Sequence, residues 1–143
     1  PWLVEEFALV QNSGGPGKFR GGLGFTRTLL ATKVDITVSQ CTDRHSIKPF
    51  GLFDGKEGNN GATLIKLKNS NEWKNVCVLF NKNSSSKYSN ITIQPGDKVK
   101  LIVPGGGGYG DPLERTEDRI KYDILEGYIT DDHALNEYNY ESN

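Results

Sequence analysis

Apolar and polar positions alternate along several short stretches of the chain. The clearest case is Val34-Asp35-Ile36-Thr37-Val38, and this period of two predicts a strand with one face in water. Similar runs of β-branched and aromatic residues lie at Leu3–Val10, Phe25–Thr32, Val34–Cys41, Ala62–Lys68, Val76–Phe80 and Val99–Val103. The polar, serine-rich stretch Asn81–Asn90 predicts a loop. We therefore expect six or seven short strands, arranged as a sandwich or as a partly closed barrel.

The period becomes helical after residue 110. Asp111 and Pro112 predict a helix start, because aspartate caps free N–H groups and proline suits the first helical turn. Leu113, Ile120, Ile124 and Tyr128 then follow at helical spacing, with Arg115, Glu117, Asp118, Arg119 and Lys121 expected on the side facing water. Gly127 predicts the end of this helix, and Thr130 predicts the start of a second one. The fold class is therefore mainly β over residues 1–104, with a helical C-terminal extension over residues 111–140.

Length and charge limit the possible classes of protein. The 143 residues suit a single domain, and the 17 basic and 18 acidic residues are mixed along the chain. We therefore expect no nucleic-acid partner, and the lack of an apolar run of about 18 residues argues against a membrane span. Cys41 and Cys77 are interpreted as buried, reduced thiols of a cytoplasmic protein rather than as a disulfide. The chain starts at Pro1 and contains no methionine, so we expect it to be a fragment of a larger subunit.

Most of the 17 glycines fall in three clusters, which span Gly14–Gly24, Gly51–Gly61 and Gly105–Gly110. Because glycine loses more conformational entropy on folding than any other residue, such clusters predict backbone arrangements that a Cβ would forbid. Tight turns and close packing against another subunit or domain are one interpretation. The other is a set of bare N–H groups that bind an anion. The candidate substrate- or anion-binding residues are Gly14, Gly15, Gly107 and Gly108, together with Arg20.

Asp43-Arg44-His45 is the densest polar triplet, and it follows a predicted strand. Arg44 could hold a carboxylate or phosphate in a bidentate manner, and His45 could titrate near neutral pH. The alternative is a strand-end ion pair of Asp43 with a neighbouring arginine, with His45 exposed. His133 is expected on the surface. Two histidines so far apart, without a carboxylate cluster, predict no metal site.

Three motifs, taken in order, resemble the C-terminal signature of the hydantoinase B/oxoprolinase family. They are Ser13-Gly14-Gly15-Pro16-Gly17-Lys18-Phe19-Arg20-Gly21-Gly22-Leu23-Gly24, then Asp43-Arg44-His45 with Gly51-Leu52-Phe53, then Pro104-Gly105-Gly106-Gly107-Gly108-Tyr109-Gly110-Asp111-Pro112-Leu113. The sequence departs from the family pattern at Lys48-Pro49-Phe50 and at Asp54, which affects the specificity of that loop. The chain resembles only the last portion of the family's large subunit.

The resemblance implies an assembly rather than an independent catalyst. Family members act with a hydantoinase A-like partner that uses ATP to phosphorylate an amide or enolate oxygen. The B half then completes the opening of a cyclic amide such as hydantoin or 5-oxoproline, or the carboxylation of a ketone. No cofactor is implied for this chain, whereas ATP and a divalent metal are implied for the parent complex.

The resemblance also implies roles for particular side chains. Arg20 and the Asp43-Arg44-His45 triplet would lie nearest an active site. Arg44 would bind an anionic group, His45 would carry a proton or donate a hydrogen bond, and Asp43 would orient one of them. The alternative functions are a non-catalytic scaffold that packs against the remainder of its own subunit and a glycine-loop anion-binding domain. The scaffold is favoured by the low apolar content, 35% before glycine is counted.

Overall fold

The computed structural model describes residues 1–141, and the chain divides into two compact units. Unit 1 contains Pro1–Ala8, Thr26–His45 and Gly61–Val103. Unit 2 contains Leu9–Phe25, Ser46–Asn60 and the chain from Pro104 onward. Each unit is thus built from three separate stretches of sequence. The assignment of residues 1–143 to one domain stays a prediction.

In the described part of the chain, seven strands form two sheets. They are β1 (Trp2–Leu9), β2 (Phe25–Ala31), β3 (Ile36–Cys41), β4 (Ala62–Lys66), β5 (Lys74–Asn75), β6 (Lys87–Ile93) and β7 (Lys98–Ile102). The larger sheet has the order β1-β2-β7-β4-β5, and β3 pairs with β6 in the smaller one. The pairs β2–β7, β4–β7, β4–β5 and β3–β6 are antiparallel. The mainly β prediction is confirmed, and the sheets stay open rather than closing into a barrel.

The core of unit 1 lies between these two sheets. Leu29 and Ile65 both stand opposite Val99 in the register of the larger sheet, so the three side chains share one face. Ile65 and Val99 belong to a buried cluster that also contains Ala31, Val76 and, from the smaller sheet, Tyr88, Ile91 and Ile93. Unit 1 is therefore a small sandwich with an apolar interior.

Two segments of unit 1 differ from the sequence-based prediction. Val76–Phe80 is a short helix, α1, and not a strand, because Asn75 accepts a hydrogen bond from the Cys77 N–H at 2.9 Å and Asn81 ends the helix at φ 48°. The predicted loop Asn81–Asn90 is wrong from Lys87 on, where β6 begins. A bulge in β6, opposite the step from Val38 to Gln40, breaks the period of two and hides the strand in the sequence.

Both cysteines are free, as predicted, but only one of them is shielded from solvent. Cys41 is exposed on β3, and Cys77 is partly buried in α1. The expectation that both thiols are buried is therefore wrong for Cys41 and met only in part by Cys77. Cys41 is exposed because a strand of the smaller sheet turns its alternate side chains to water.

The helical C-terminal segment is confirmed in unit 2. The Asp111 carboxylate accepts a hydrogen bond from the Leu113 N–H at 2.9 Å, but this cap starts a 3₁₀ turn, Pro112–Glu114. Helix α2 (Glu117–Leu125) follows, and Gly127, at φ 70°, comes just after its end. Thr130 caps α3 (Asp131–Tyr138) as predicted. Ile120, Ile129, Ala134 and Tyr138 form the buried apolar cluster of this segment.

Candidate functional site

The three glycine-rich segments of unit 2, residues 13–24, 49–59 and 104–110, are joined by backbone hydrogen bonds. We call them together the glycine network. The bonds run from Gly15 N to Gly106 O at 2.8 Å, from Gly106 N to Gly22 O at 2.8 Å, from Gly108 N to Lys56 O at 2.9 Å and from Lys56 N to Pro16 O at 2.7 Å. Each segment is thus bonded to both of the others.

At Gly15 and Gly108, glycine is required by close approach and not by an unusual φ. A Cβ at Gly108 would lie 2.5 Å from the carbonyl carbon of Pro16 and closer still to its oxygen. A Cβ at Gly15 would lie 2.6 Å from the Gly108 nitrogen. Neither residue is among the glycines with positive φ. The main chains of the three segments therefore touch each other directly, which no other residue type permits.

The network also uses N–H groups that an anion would need. The N–H groups of Gly15 and Gly108 both donate hydrogen bonds to carbonyl oxygens. Gly107 is closely packed as well, since a Cβ there would lie 2.5 Å from the Phe50 carbonyl carbon. Anion binding by Gly14, Gly15, Gly107 and Gly108 stays a prediction. It would require N–H groups other than these two.

A buried carboxylate holds two arginines in unit 2. Arg20 donates from Nε and Nη2 to Asp123 at 3.0 and 3.3 Å, and Arg115 donates from Nη2 to Asp123 Oδ2 at 2.7 Å. The side chains of Asp123 and Arg115 are only 2% and 7% exposed. The same guanidinium groups donate to the carbonyls of Gly21 at 2.6 Å and Lys18 at 3.2 Å. This arginine cluster, Arg20, Arg115 and Asp123, therefore ties the first glycine segment to α2.

Sequence reasoning missed two members of this cluster. It placed Arg115 in water, which is wrong, and it did not single out Asp123. One signal was present, because Asp123 falls on the same helical face as Ile120, and a buried acid needs a cationic partner. Its partner Arg20 could not be predicted from the sequence, because the two residues lie 103 positions apart.

The arginine cluster forms one wall of a surface pocket of about 410 Å³. The pocket is lined by Phe19, Arg20, Arg115, Asp118, Arg119, Tyr122 and Asp123. The Arg119 guanidinium lies over the Phe19 ring at 5.2 Å from its centroid. The lining has three arginines and two aspartates, so one net positive charge lies beside two aromatic rings, an arrangement that suits an organic anion. The prediction that Arg20 binds substrate stays a prediction, and its guanidinium already bonds to Asp123.

The Asp43-Arg44-His45 triplet lies in unit 1, whereas Arg20 and the four candidate glycines lie in unit 2. Asp43 forms an ion pair with Lys87 at 3.5 Å, and His45 Nε2 lies 3.2 Å from the Thr42 hydroxyl. Arg44 adopts φ 62°, and its carbonyl accepts a hydrogen bond from Gly61 N. A non-glycine residue at positive φ is uncommon and is a reason to test the position. The catalytic roles of the triplet stay predictions.

The described residues contain neither a candidate metal site nor a candidate membrane-spanning helix. Within residues 1–141, no group of three or more His, Cys, Asp or Glu side chains could hold a metal ion. A divalent metal, implied by the resemblance for the parent complex, therefore finds no suitable ligand set in this part of the chain. Over the same range, no helix has the length and the apolar character needed to cross a membrane.

A family comparison agrees with the motifs. The model of the hydantoinase B/oxoprolinase family matches residues 1–112. The chain belongs to the hydantoinase B/oxoprolinase family. The resemblance inferred from the three motifs is thereby confirmed.

Two curated relatives carry the names of this family, and a solved structure is similar over the whole chain. The chain is 36% identical over 138 residues to a putative D-/L-hydantoinase subunit from Pseudomonas sp. (strain NS671), covering 96% of the chain and 22% of the relative. It is 37% identical over 110 residues to a 5-oxoprolinase from Dictyostelium discoideum, covering 77% of the chain and 8% of the relative. The crystal structure of ATP-dependent caprolactamase from Pseudomonas jessenii matches the whole chain with a TM-score of 0.80 and 25% identity.

The chain spans less than a quarter of these hydantoinase B/oxoprolinase relatives. It covers 22% of the hydantoinase subunit and 24% of the caprolactamase chain. The activities in their names belong to proteins at least about four times as long as this chain, and the 5-oxoprolinase, of which the match covers 8%, is longer still.

His133 gives unit 2 a predicted dependence on pH. It is partly buried and not on the surface as expected, and burial lowers its pKa below 6.5, with Lys56 adding to this effect and Glu137 opposing it. As the pH falls below about 6.5, His133 therefore takes up a proton in the unfolded chain before it does so in the folded one. We expect the stability of unit 2 to be full above that pH and to decrease down to the lowered pKa.

The measurement compares the wild type with His133→Gln by urea unfolding between pH 7.5 and pH 5. The variant should show a smaller decrease in stability on the acid side. Parallel curves for the two proteins would contradict a lowered pKa at His133.

Proposed function

We propose that the chain is a domain of an enzyme subunit that takes part in the ATP-dependent hydrolysis of a cyclic amide. The observation that carries this proposal is the whole-chain match to an ATP-dependent caprolactamase. The named relatives support it, since hydantoin, 5-oxoproline and caprolactam are all cyclic amides. A relative named as one subunit of a hydantoinase is consistent with a further subunit in the assembly.

The chemistry explains why ATP would be needed. A lactam carbonyl is a poor electrophile, because the amide nitrogen donates electron density to it. Transfer of the γ-phosphoryl group of ATP to the amide oxygen releases ADP and makes the ring carbon a better electrophile. Water then adds to this carbon, and the C–N bond breaks while the ring nitrogen takes up a proton. The acyl phosphate that results is hydrolysed to the ring-opened acid and inorganic phosphate. In this proposal a hydantoinase A-like subunit or domain binds ATP, and any divalent metal is held outside the described residues.

We assign this domain a mainly structural part in the reaction. Gly15, Gly106 and Gly108 donate their N–H groups to carbonyls of the glycine network, and Asp123 binds both guanidinium groups of the arginine cluster. Groups committed in this way hold main chain in place, whereas a catalytic group must be free to contact substrate. Scaffolding of the subunit is therefore the function that these two features support best.

The test uses the full-length protein that carries residues 1–143, together with its ATP-using partner. Hydantoin, 5-oxoproline and caprolactam are each supplied with ATP, and the ring-opened acid is quantified by mass spectrometry. We expect ring opening of at least one substrate, with none when ATP is left out. Carboxylation of acetone without any ring opening would overturn the proposal, as would ring opening that does not need ATP.

The Asp43-Arg44-His45 triplet decides whether this domain also contacts substrate. If it does, Arg44→Ala and His45→Ala should each lower ATP-dependent kcat/KM at least tenfold, or about 1.4 kcal/mol of barrier. Lys33→Ala is the matched control, because Lys33 is an exposed cation of the same unit. Unchanged turnover in well-folded variants would remove the triplet from the active site and leave the scaffold function alone.

A further inference from the structure

Strand β1 is a long and exposed edge of the larger sheet. It stands at the end of the order β1-β2-β7-β4-β5, and every residue except Trp2 is exposed. Val4 and Phe7, which point to opposite faces of a strand, are 56% and 61% exposed, and Leu3 is 52% exposed. Apolar side chains thus face solvent on both sides of β1.

The opposite edge of the same sheet is built differently. Strand β5 has only two residues, Lys74 and Asn75, and both are polar. Short edges and lysine side chains are the usual means by which proteins prevent pairing with another strand. The sheet is therefore protected against a further strand at β5 and not at β1.

The charges of β1 do not protect it either. Its two carboxylates pair with lysines of β7, a strand of the same sheet. Glu5 pairs with Lys98 at 2.7 Å, and Glu6 pairs with Lys100 at 3.4 Å. Paired charges lose most of their ability to repel an approaching strand. A strand of this length, apolar on both faces and without free charge, is a template for β pairing.

We propose that an extended segment of the same subunit, outside residues 1–143, pairs with β1 and packs apolar side chains against Leu3, Val4 and Phe7. The relatives provide the length of chain for this partner. The matched region is 22% of the hydantoinase subunit and 24% of the caprolactamase chain. More than three quarters of those polypeptides therefore lie outside the region that matches this chain. The inference rests on family membership and on the sheet edge, and not on the reaction.

Cysteine labelling in the full-length protein tests this directly. Phe7→Cys and the control Lys33→Cys, an exposed residue of the same unit, are treated with a maleimide, and each site is quantified by peptide mass spectrometry. Each rate is divided by the rate of the same variant in denaturant. We expect Cys at position 7 to react about a hundredfold more slowly than Cys at position 33, because labelling then requires local opening.

The occupant is identified by repeating the labelling on the purified subunit alone, at a concentration where light scattering shows a monomer. Protection in the monomer supports a cover from the same polypeptide. Protection that appears only in a dimer, or only after another subunit is added, would overturn the proposal, as would equal labelling at the two positions. Leu3→Cys provides a second measurement on the same strand if Phe7→Cys does not fold.

Discussion

Replacing Gly108 with alanine is expected to destabilise unit 2 by about 3 kcal/mol or more, at the upper end of what overpacking costs. The new Cβ would lie 2.5 Å from the Pro16 carbonyl carbon. Pro16 cannot move away cheaply, because its carbonyl accepts a hydrogen bond from Lys56 N at 2.7 Å. Hydrogen exchange of the Gly15 and Gly106 amides in the full-length protein measures the local loss of stability.

Two other glycines of the same network make the test graded. A Cβ at Gly106 would meet its nearest heavy atom, Gly22 N, at 3.3 Å, and a Cβ at Gly22 would meet nothing within 4 Å. We expect Gly106→Ala to be mildly destabilising and Gly22→Ala to be neutral or slightly stabilising, because alanine restricts the unfolded chain. Equal effects of the three substitutions would show that close approach is not the reason for glycine.

Replacing Asp123 with asparagine is expected to destabilise unit 2 by about 3–5 kcal/mol, the usual result of breaking a buried ion pair from one side. The variant leaves the guanidinium groups of Arg20 and Arg115 without their counter-charge. Asp118→Asn is the matched control, because Asp118 lies exposed on the same helix, and a surface change of this kind usually has an effect within about 0.5 kcal/mol. Chemical denaturation of the full-length protein, followed by hydrogen exchange in α2, measures both.

A combined variant separates charge from packing in the arginine cluster. Asp123→Leu with Arg20→Met and Arg115→Leu replaces all three charges by apolar groups. We expect it to recover most of the stability lost in Asp123→Asn, because buried ionic triads can often be replaced by apolar residues without loss. An Asp123→Asn variant as stable as the wild type would contradict the proposed role of the carboxylate.

The glycine network and the arginine cluster both bear on the part that this domain plays in a longer protein. The glycine network keeps three chain segments at backbone contact, and the arginine cluster fixes one of those segments to α2. The hydrogen bonds and ion pairs of both features restrict how the groups that make them can reorganise. These restraints support the scaffold role proposed for the domain.

Much of the fold was predictable because it depends on local patterns. Runs rich in β-branched and other apolar residues located β1, β2, β3, β4 and β7, and the caps at Asp111 and Thr130 were visible as single residues. The prediction failed at Val76–Phe80, since an apolar run of five residues fits a strand or a helix equally well. It failed at β6 because a bulge shifts the buried positions out of phase.

The sequence by itself determined the family, the mainly β fold class and the helical C-terminal segment. Its glycine clusters also indicated where the backbone leaves no room for a larger side chain. Those properties follow from motifs, periodicity and residue type, all of which are local. Only the tertiary structure decided that the glycine segments contact each other, that Asp123 binds Arg20 and Arg115, and that β1 is an exposed edge. Those contacts join residues up to about a hundred positions apart, and the energy of a contact depends on which distant groups the fold brings together.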